Sequence, residues 1–192
     1  EKKKNLIPVK LLIATGGAIA PEKFFCYLID FLWTGFTWEY RKLEDLSGEF
    51  TIQDRTGATF PLRRYEVSHA DKTLGVYVAM DDNKDKEIAH LTAVSSRFGQ
   101  QLRTAKCEKS AAIIYVLQFS LMKTFEYPMV MTQLDEATWC KILHATLAPA
   151  LHKASMSMSF PRDVLFGPDL FQGFQLQHPF FSQEISHITT LL

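Results

Sequence analysis

The sequence predicts an α+β fold in two subregions, strands first and helices after. Two observations carry this. Up to Met80, aromatic and β-branched segments are punctuated by turn signals, as in hairpins. Beyond Met80, apolar residues recur every three or four positions, as on helices. Runs of strands followed by runs of helices argue segregated α+β packing, with a strand-rich region over residues 1–80 and a helical one over 81–192.

The first element carries Leu6, Ile7, Val9, Leu11, Leu12 and Ile13 and ends near Ala14, where Thr15-Gly16-Gly17 marks a reversal. From Lys23 to Tyr40 the chain is dense in aromatics, and Thr34-Gly35 divides it into a hairpin. Glu49–Gln53 and Ala58–Arg64 flank Asp54-Arg55-Thr56-Gly57, a second hairpin signal. Thr73–Met80 supplies a fifth strand. These strands are expected to pair antiparallel.

Ile88, Leu91, Val94 or Ser95, Phe98 and Leu102 then predict a one-faced amphipathic helix. Its start is acidic (Asp81, Asp82, Asp85, Glu87) and its end basic (Arg97, Arg103, Lys106), matching the helix dipole with solvated charges. A second helix over Glu108–Phe125 is apolar on most sides and reads as the buried centre of a bundle, and Pro128 is expected to end the short segment after it. Asp135 is placed to cap a third helix that runs until Pro149. The tail, with Pro161, Gly167-Pro168 and Gly173, is loop-rich and closes on an amphipathic segment from Ser182.

The 192 residues carry 21 basic and 21 acidic side chains and are 47% hydrophobic, which is globular composition rather than disorder. Neutrality excludes binding of nucleic acid by bulk charge and leaves only a local basic track. Cys26, Cys107 and Cys140 form no C-x-x-C pair, so they read as free thiols in a reducing, intracellular setting. The most apolar run, Ala111–Met122, is too short to span a bilayer, so no membrane partner is expected. With no signal-like N-terminus, the chain reads as a soluble segment cut from something longer.

Three patterns suggest chemistry. Ala79-Met80-Asp81-Asp82 has the composition of a two-metal carboxylate box. Such a box needs a second apolar strand after it, and Asn83-Lys84-Asp85-Lys86-Glu87 is a polar helix start, so the aspartates read as turn and capping residues. Cys140 and His144 share a helix face with His152 near in sequence, but no second ligand pair is present, so no metal site is expected. Between Ser95 and Phe125 the charges are Arg97, Arg103, Lys106, Lys109 and Lys123 against Glu108 alone. If helical, Arg103 and Lys106 project together.

Several blocks occur in one order along the chain. They are Ala14-Thr15-Gly16-Gly17-Ala18 with Pro21 and Lys23, Tyr27-Leu28-Ile29-Asp30-Phe31 with Trp33 and Trp38, and Lys72-Thr73-Leu74-Gly75-Val76. Glu126-Tyr127-Pro128, Phe160-Pro161-Arg162, Gly167-Pro168 and Gln172-Gly173 come after them. Together they resemble the region of retroelement (non-LTR-like) reverse transcriptases downstream of the catalytic palm motif. The resemblance implies the end of the palm, the primer grip and the thumb of an RNA-directed DNA polymerase. On it, Lys23 lies near an incoming nucleotide's phosphates, and Leu74 and Gly75 form the primer-grip turn. Arg97, Arg103 and Lys106 become thumb contacts to the backbone of a template–primer duplex of RNA or DNA. The family's metal-binding aspartates precede the Gly-Gly turn, and the residues before Gly16 contain no acidic pair. The expectation is therefore a fragment or degenerate copy, not catalytic alone, holding no cofactor, with Mg²⁺ expected only for a complete polymerase. Its partners are then the duplex, bound weakly without sequence preference, and the missing palm portion. The rival expectation is a non-enzymatic protein-interaction module, motivated by Phe160, Phe166, Phe171, Phe174, Phe180 and Phe181.

Overall fold

A computed structural model describes residues 5–6, 24–53, 58–106 and 110–191. The reversal at Gly16-Gly17, Lys23, the Asp54–Gly57 turn and Cys107 lie outside the described residues. The chain divides into two compact units, residues 1–70 with 79–83, and residues 71–78 with 84–192. Helices and small strand pairs make the protein mixed α+β.

In the first unit, β1 (Asn5–Leu6), β5 (Phe50–Gln53) and β6 (Thr59–Pro61) form a sheet in the order β1-β5-β6. The β5–β6 pair is antiparallel, as the flanking turn signal predicts, with Ile52 opposite Phe60. β3 (Phe31–Trp33) and β4 (Trp38–Tyr40) form the second expected hairpin, with Trp33 opposite Trp38 and Phe31 opposite Tyr40. Their rings lie 5.2 and 4.9 Å apart, the cross-strand aromatic contact that stabilises a short pair. Gly35, at φ 97°, takes the left-handed position in the loop. The expectation of wholly antiparallel pairing is corrected. β1 runs parallel to β5, and β2 (Phe25–Tyr27) runs parallel to β7 (Arg63–Tyr65). Parallel pairing needs a long connection, which the intervening hairpins provide. A cluster of Phe25, Tyr27 and Tyr65 rings covers the β2–β7 pair, and the Tyr27 hydroxyl donates to the His69 carbonyl at 2.8 Å.

The second unit opens with a hairpin where a single strand over Thr73–Met80 was expected. β8 (Asp71–Thr73) and β9 (Val76–Val78) pair antiparallel around Leu74-Gly75. Both turn residues have positive φ, 50° and 101°, the signature of the tight turn whose twist suits a hairpin.

The hairpin is followed by α1 (Asp85–Thr104). The apolar stripe turns slightly from its predicted centre: Leu91, Ser95, Gly99 and Leu102 are fully buried, with Ile88, Val94 and Phe98 at its flanks. Small residues at the centre let α4 (Glu136–Lys153) approach closely. The Ser95 hydroxyl lies 2.6 Å from the Ile142 carbonyl and 2.7 Å from the Thr146 hydroxyl, and Thr146 donates to the Ser95 carbonyl at 2.6 Å. A Cβ on Gly99 would stand 2.6 Å from the Ala145 carbonyl oxygen and 2.9 Å from Pro149 Cγ.

At this crossing Pro149 lies inside the third helix rather than ending it as the sequence suggests. Proline lacks the N–H that would bond the Ala145 carbonyl four residues back. That oxygen lies against Gly99, 2.6 Å from where a Cβ on that residue would stand. Pro128 likewise lies inside a helix rather than ending one. α2 (Ser110–Val116), a wide π-turn over Leu117–Leu121 and α3 (Met122–Met131) run on without interruption. The carbonyl freed by Pro128 belongs to Thr124, which is exposed and open to water.

Nor is that second helix the buried centre. Ala111, Tyr115 and Phe119 on it are exposed, whereas α4 buries Trp139, Ile142, Leu143, Thr146, Leu147, Ala150 and Leu151. The remaining core comes from Leu165 of α5 (Arg162–Phe166) and from Leu176, with α6 (Pro179–Leu191) packed on α3. Gln183 of α6 is fully buried. Its side-chain oxygen accepts from Trp139 Nε1 at 2.9 Å and Leu134 N at 3.1 Å, and its nitrogen donates to the Leu134 carbonyl at 2.9 Å. Phe160, Phe166, Phe174 and Phe180 pack on the core, while Phe171 and Phe181 stay exposed.

Candidate functional site

The cations predicted on α1 do not share one face. Arg97 and Arg103 are six residues apart, about 120° around a helix turning roughly 100° per residue. Both are exposed, and Arg97 lies opposite the buried stripe. The expected pairing of Arg103 with Lys106 fails for a simple reason. The helix ends at Thr104 and Ala105 turns to extended backbone (ψ 141°), so Lys106 lies beyond the last turn. Lys123, also counted in the basic track, is engaged by Glu126 at 2.7 Å.

Arg103 gains different neighbours. It lines an open cleft of about 510 Å³ with Ala148, Pro149, His152, Lys153 and Met158, none of them acidic. Lys153 reaches from the last turn of α4 to the Arg103 carbonyl at 3.5 Å. The Ser95–Thr146 and Gly99–Pro149 contacts bring α1 and α4 together, and therefore these cations too. Helix C-termini carry partial negative charge, which basic side chains there offset. An anion at this cleft would thus be held by the side chains, not by the helix ends. His152 and Lys153 were missed in the sequence because their nearness to Arg103 depends on a crossing set by small residues.

The Leu74-Gly75 turn projects from the hairpin, with Leu74 82% exposed and Gly75 near the Tyr127 ring. Its strand is fastened to α1 by Glu87, which was expected to be a solvated helix-start charge. Glu87 is 1% exposed instead, and its Oε2 accepts the Tyr77 N–H at 2.8 Å. Its Oε1 is buried without a hydrogen-bond partner among the described residues. Lys72 and Lys86 lie 5.7 and 5.0 Å from the Tyr77 ring centre, so one tyrosine ring gathers two cations.

Asp81 and Asp82 form a turn, not a helix cap, because Lys84 occupies the N-cap position. Asp81 Oδ1 accepts the Asn83 N–H at 3.0 Å, and Asp82 has φ 62°.

No protein-family model, no curated protein and no solved structure matches this chain.

The sequence pointed to Cys140 with His144. The structure instead sets Cys140 beside Glu136, one turn earlier on α4, and His178, which stands just before α6. One ligand atom of each lies within 4.8 Å of the others. Burial holds the His178 imidazole below its ordinary range, against the opposing pull of the Glu136 carboxylate. His144 lines the same cleft. In the first unit, burial pushes the Cys26 thiol up, partly offset by the Arg64 guanidinium.

Proposed function

We propose that this chain is the post-catalytic portion of a retroelement reverse transcriptase, a fragment or degenerate copy whose remaining capacity is sequence-independent binding of a template–primer duplex. The observation that carries the reading is the cleft where Arg103, His152 and Lys153 converge with no acidic neighbour among the described residues. Cations on the exposed ends of two packed helices suit a phosphate backbone, which they can position against without reading bases. The ordered sequence blocks support the same reading, as does the exposed Leu74-Gly75 turn held on the first helix through Glu87. Lys23, Arg97 and Lys106 remain proposed contacts to the same nucleic acid, with Lys23 outside the described residues.

The contact is modest. Two or three phosphates neutralised give weak binding compared with a strongly basic protein. Fluorescence anisotropy with RNA–DNA duplexes of unrelated sequence tests it. Arg103→Ala and Lys153→Ala should each weaken all duplexes alike and reduce the salt slope by about one unit. Unchanged affinity in the Arg103→Ala, Lys153→Ala double variant would remove this cleft from the interface.

A second reading, a protein-interaction module, is favoured by one feature of the first unit. Both faces of the β3–β4 hairpin are exposed, including Trp33, Trp38 and Phe36, the last at 92%. Exposed aromatics in one patch are a common mark of an interaction surface.

A further inference from the structure

We propose that Glu136, Cys140 and His178 form a zinc-type site that clips the first turns of α4 to the start of α6. Three observations point there. First, three different donor types converge from two elements, each offering a ligand atom within 4.8 Å of the other two. Second, His178 Nδ1 is buried and has no hydrogen-bond partner among the described residues, although a buried ring nitrogen ordinarily has one. Third, the ring is held in place by aromatic neighbours. Phe166 lies edge-on at 4.7 Å and Phe181 lies at 5.2 Å. A cleft of about 450 Å³ opens beside these side chains, giving an ion an entry path.

The donor set selects the metal. A thiolate and an imidazole are soft or borderline ligands that favour zinc over calcium or magnesium, which take oxygen donors. Zinc bonds of about 2.0–2.3 Å place tetrahedral donors roughly 3.5 Å apart. The exposed Glu136 and Cys140 side chains can close the remaining gap by rotation within their wells. One carboxylate, one thiolate and a neutral imidazole together balance the charge of a divalent ion. The thiol releases its proton to solvent as the ion binds. A water molecule completes the fourth position.

The backbone already prepares the site. Glu136 and Cys140 are four residues apart on one helix and so share a face. The His178 carbonyl accepts the Ser182 N–H at 3.0 Å, which anchors His178 at the head of α6. Gln183 clamps the same two helices through Trp139 and Leu134. An ion would therefore reinforce an existing junction and raise the stability of the helical unit with the logarithm of its free concentration above the dissociation constant.

Cobalt(II) titration of the whole chain, followed by absorption, tests the proposal. The expected result is a thiolate-to-cobalt charge-transfer band with tetrahedral d–d bands, saturating at one equivalent and displaced by zinc. Cys140→Ser should abolish the charge-transfer band, and His178→Ala should weaken zinc binding by about 100-fold. Cys26→Ser should change neither. Circular dichroism of each variant confirms that it folds. A wild-type protein without the band, a band that survives Cys140→Ser, or zinc affinity unaffected by His178→Ala would each overturn the site.

Discussion

Gly99→Ala is the substitution for which sequence and structure predict opposite signs. Glycine inside a helix is usually a weakness, and replacing it by alanine stabilises an exposed helix by about 1 kcal/mol. At Gly99 the new Cβ would stand 2.6 Å from the Ala145 carbonyl oxygen, 2.9 Å from Pro149 Cγ and 3.4 Å from Thr146 Cα. The first two contacts lie well inside van der Waals separation, and the nearest atom is backbone, which cannot rotate away. Relief requires α1 and α4 to part by roughly half an ångström or more, since ordinary carbon–oxygen contacts begin near ~3.2 Å. Overpacking of this kind costs about 1–3 kcal/mol. Parting the helices also stretches the buried Ser95–Thr146 bonds, now 2.6–2.7 Å long, each worth about 1 kcal/mol. Set against the helix-propensity gain, the net loss is about 2 kcal/mol. Urea unfolding followed by helical circular dichroism measures this, because the α-helices among the described residues belong to the second unit. A variant as stable as the parent, or more stable, would refute the close crossing of α1 and α4.

Three further outcomes rest on particular contacts. Gln183→Ala should destabilise the helical unit by about 3 kcal/mol, because it strips partners from the Leu134 N–H, the Leu134 carbonyl and Trp139 Nε1. A loss below about 1 kcal/mol in chemical denaturation would mean that the clamp is not formed. Leu74→Asn should stabilise the hairpin by about 1 kcal/mol, since leucine is strained at φ 50° and Asn-Gly is preferred in this turn. A lower melting temperature in that variant would contradict the turn geometry. Alkylation of the metal-free protein, mapped by mass spectrometry, should label exposed Cys140 before Cys26, whose raised pKa leaves less thiolate. Faster labelling of Cys26 would count against its half-buried setting.

The features legible in the sequence were those that local pattern controls. Trp33–Trp38 and the Ile52–Phe60 pair lie beside turn signals, and the spacing of Leu91, Phe98 and Leu102 marks a helix by itself. Features set by contact between distant segments were not legible. Pro128 and Pro149 look like helix ends because their cost is local, whereas the packing around Pro149 involves Gly99, on another helix. Glu87 looks solvated because nothing near it in sequence announces the Tyr77 N–H. His178 is far from Cys140 along the chain, so helix spacing favoured His144. Glu136 at four residues before Cys140 was available as a signal, but its significance depends on the histidine that faces it. The Arg103–Lys106 pairing failed on a helix end displaced by a residue or two, the least certain feature of any periodic reading.

The duplex-binding proposal meets its most direct test in a salt series. Equilibrium affinity for an RNA–DNA duplex, measured by anisotropy across salt concentrations, reports the number of phosphates neutralised. The expected slope of log K against log salt is about −2 to −3, shrinking to between about 0 and −1 when Arg103 and Lys153 are both replaced by alanine. A slope near zero, or one that the double replacement leaves unchanged, would contradict the assignment of this basic cleft to a nucleic-acid backbone.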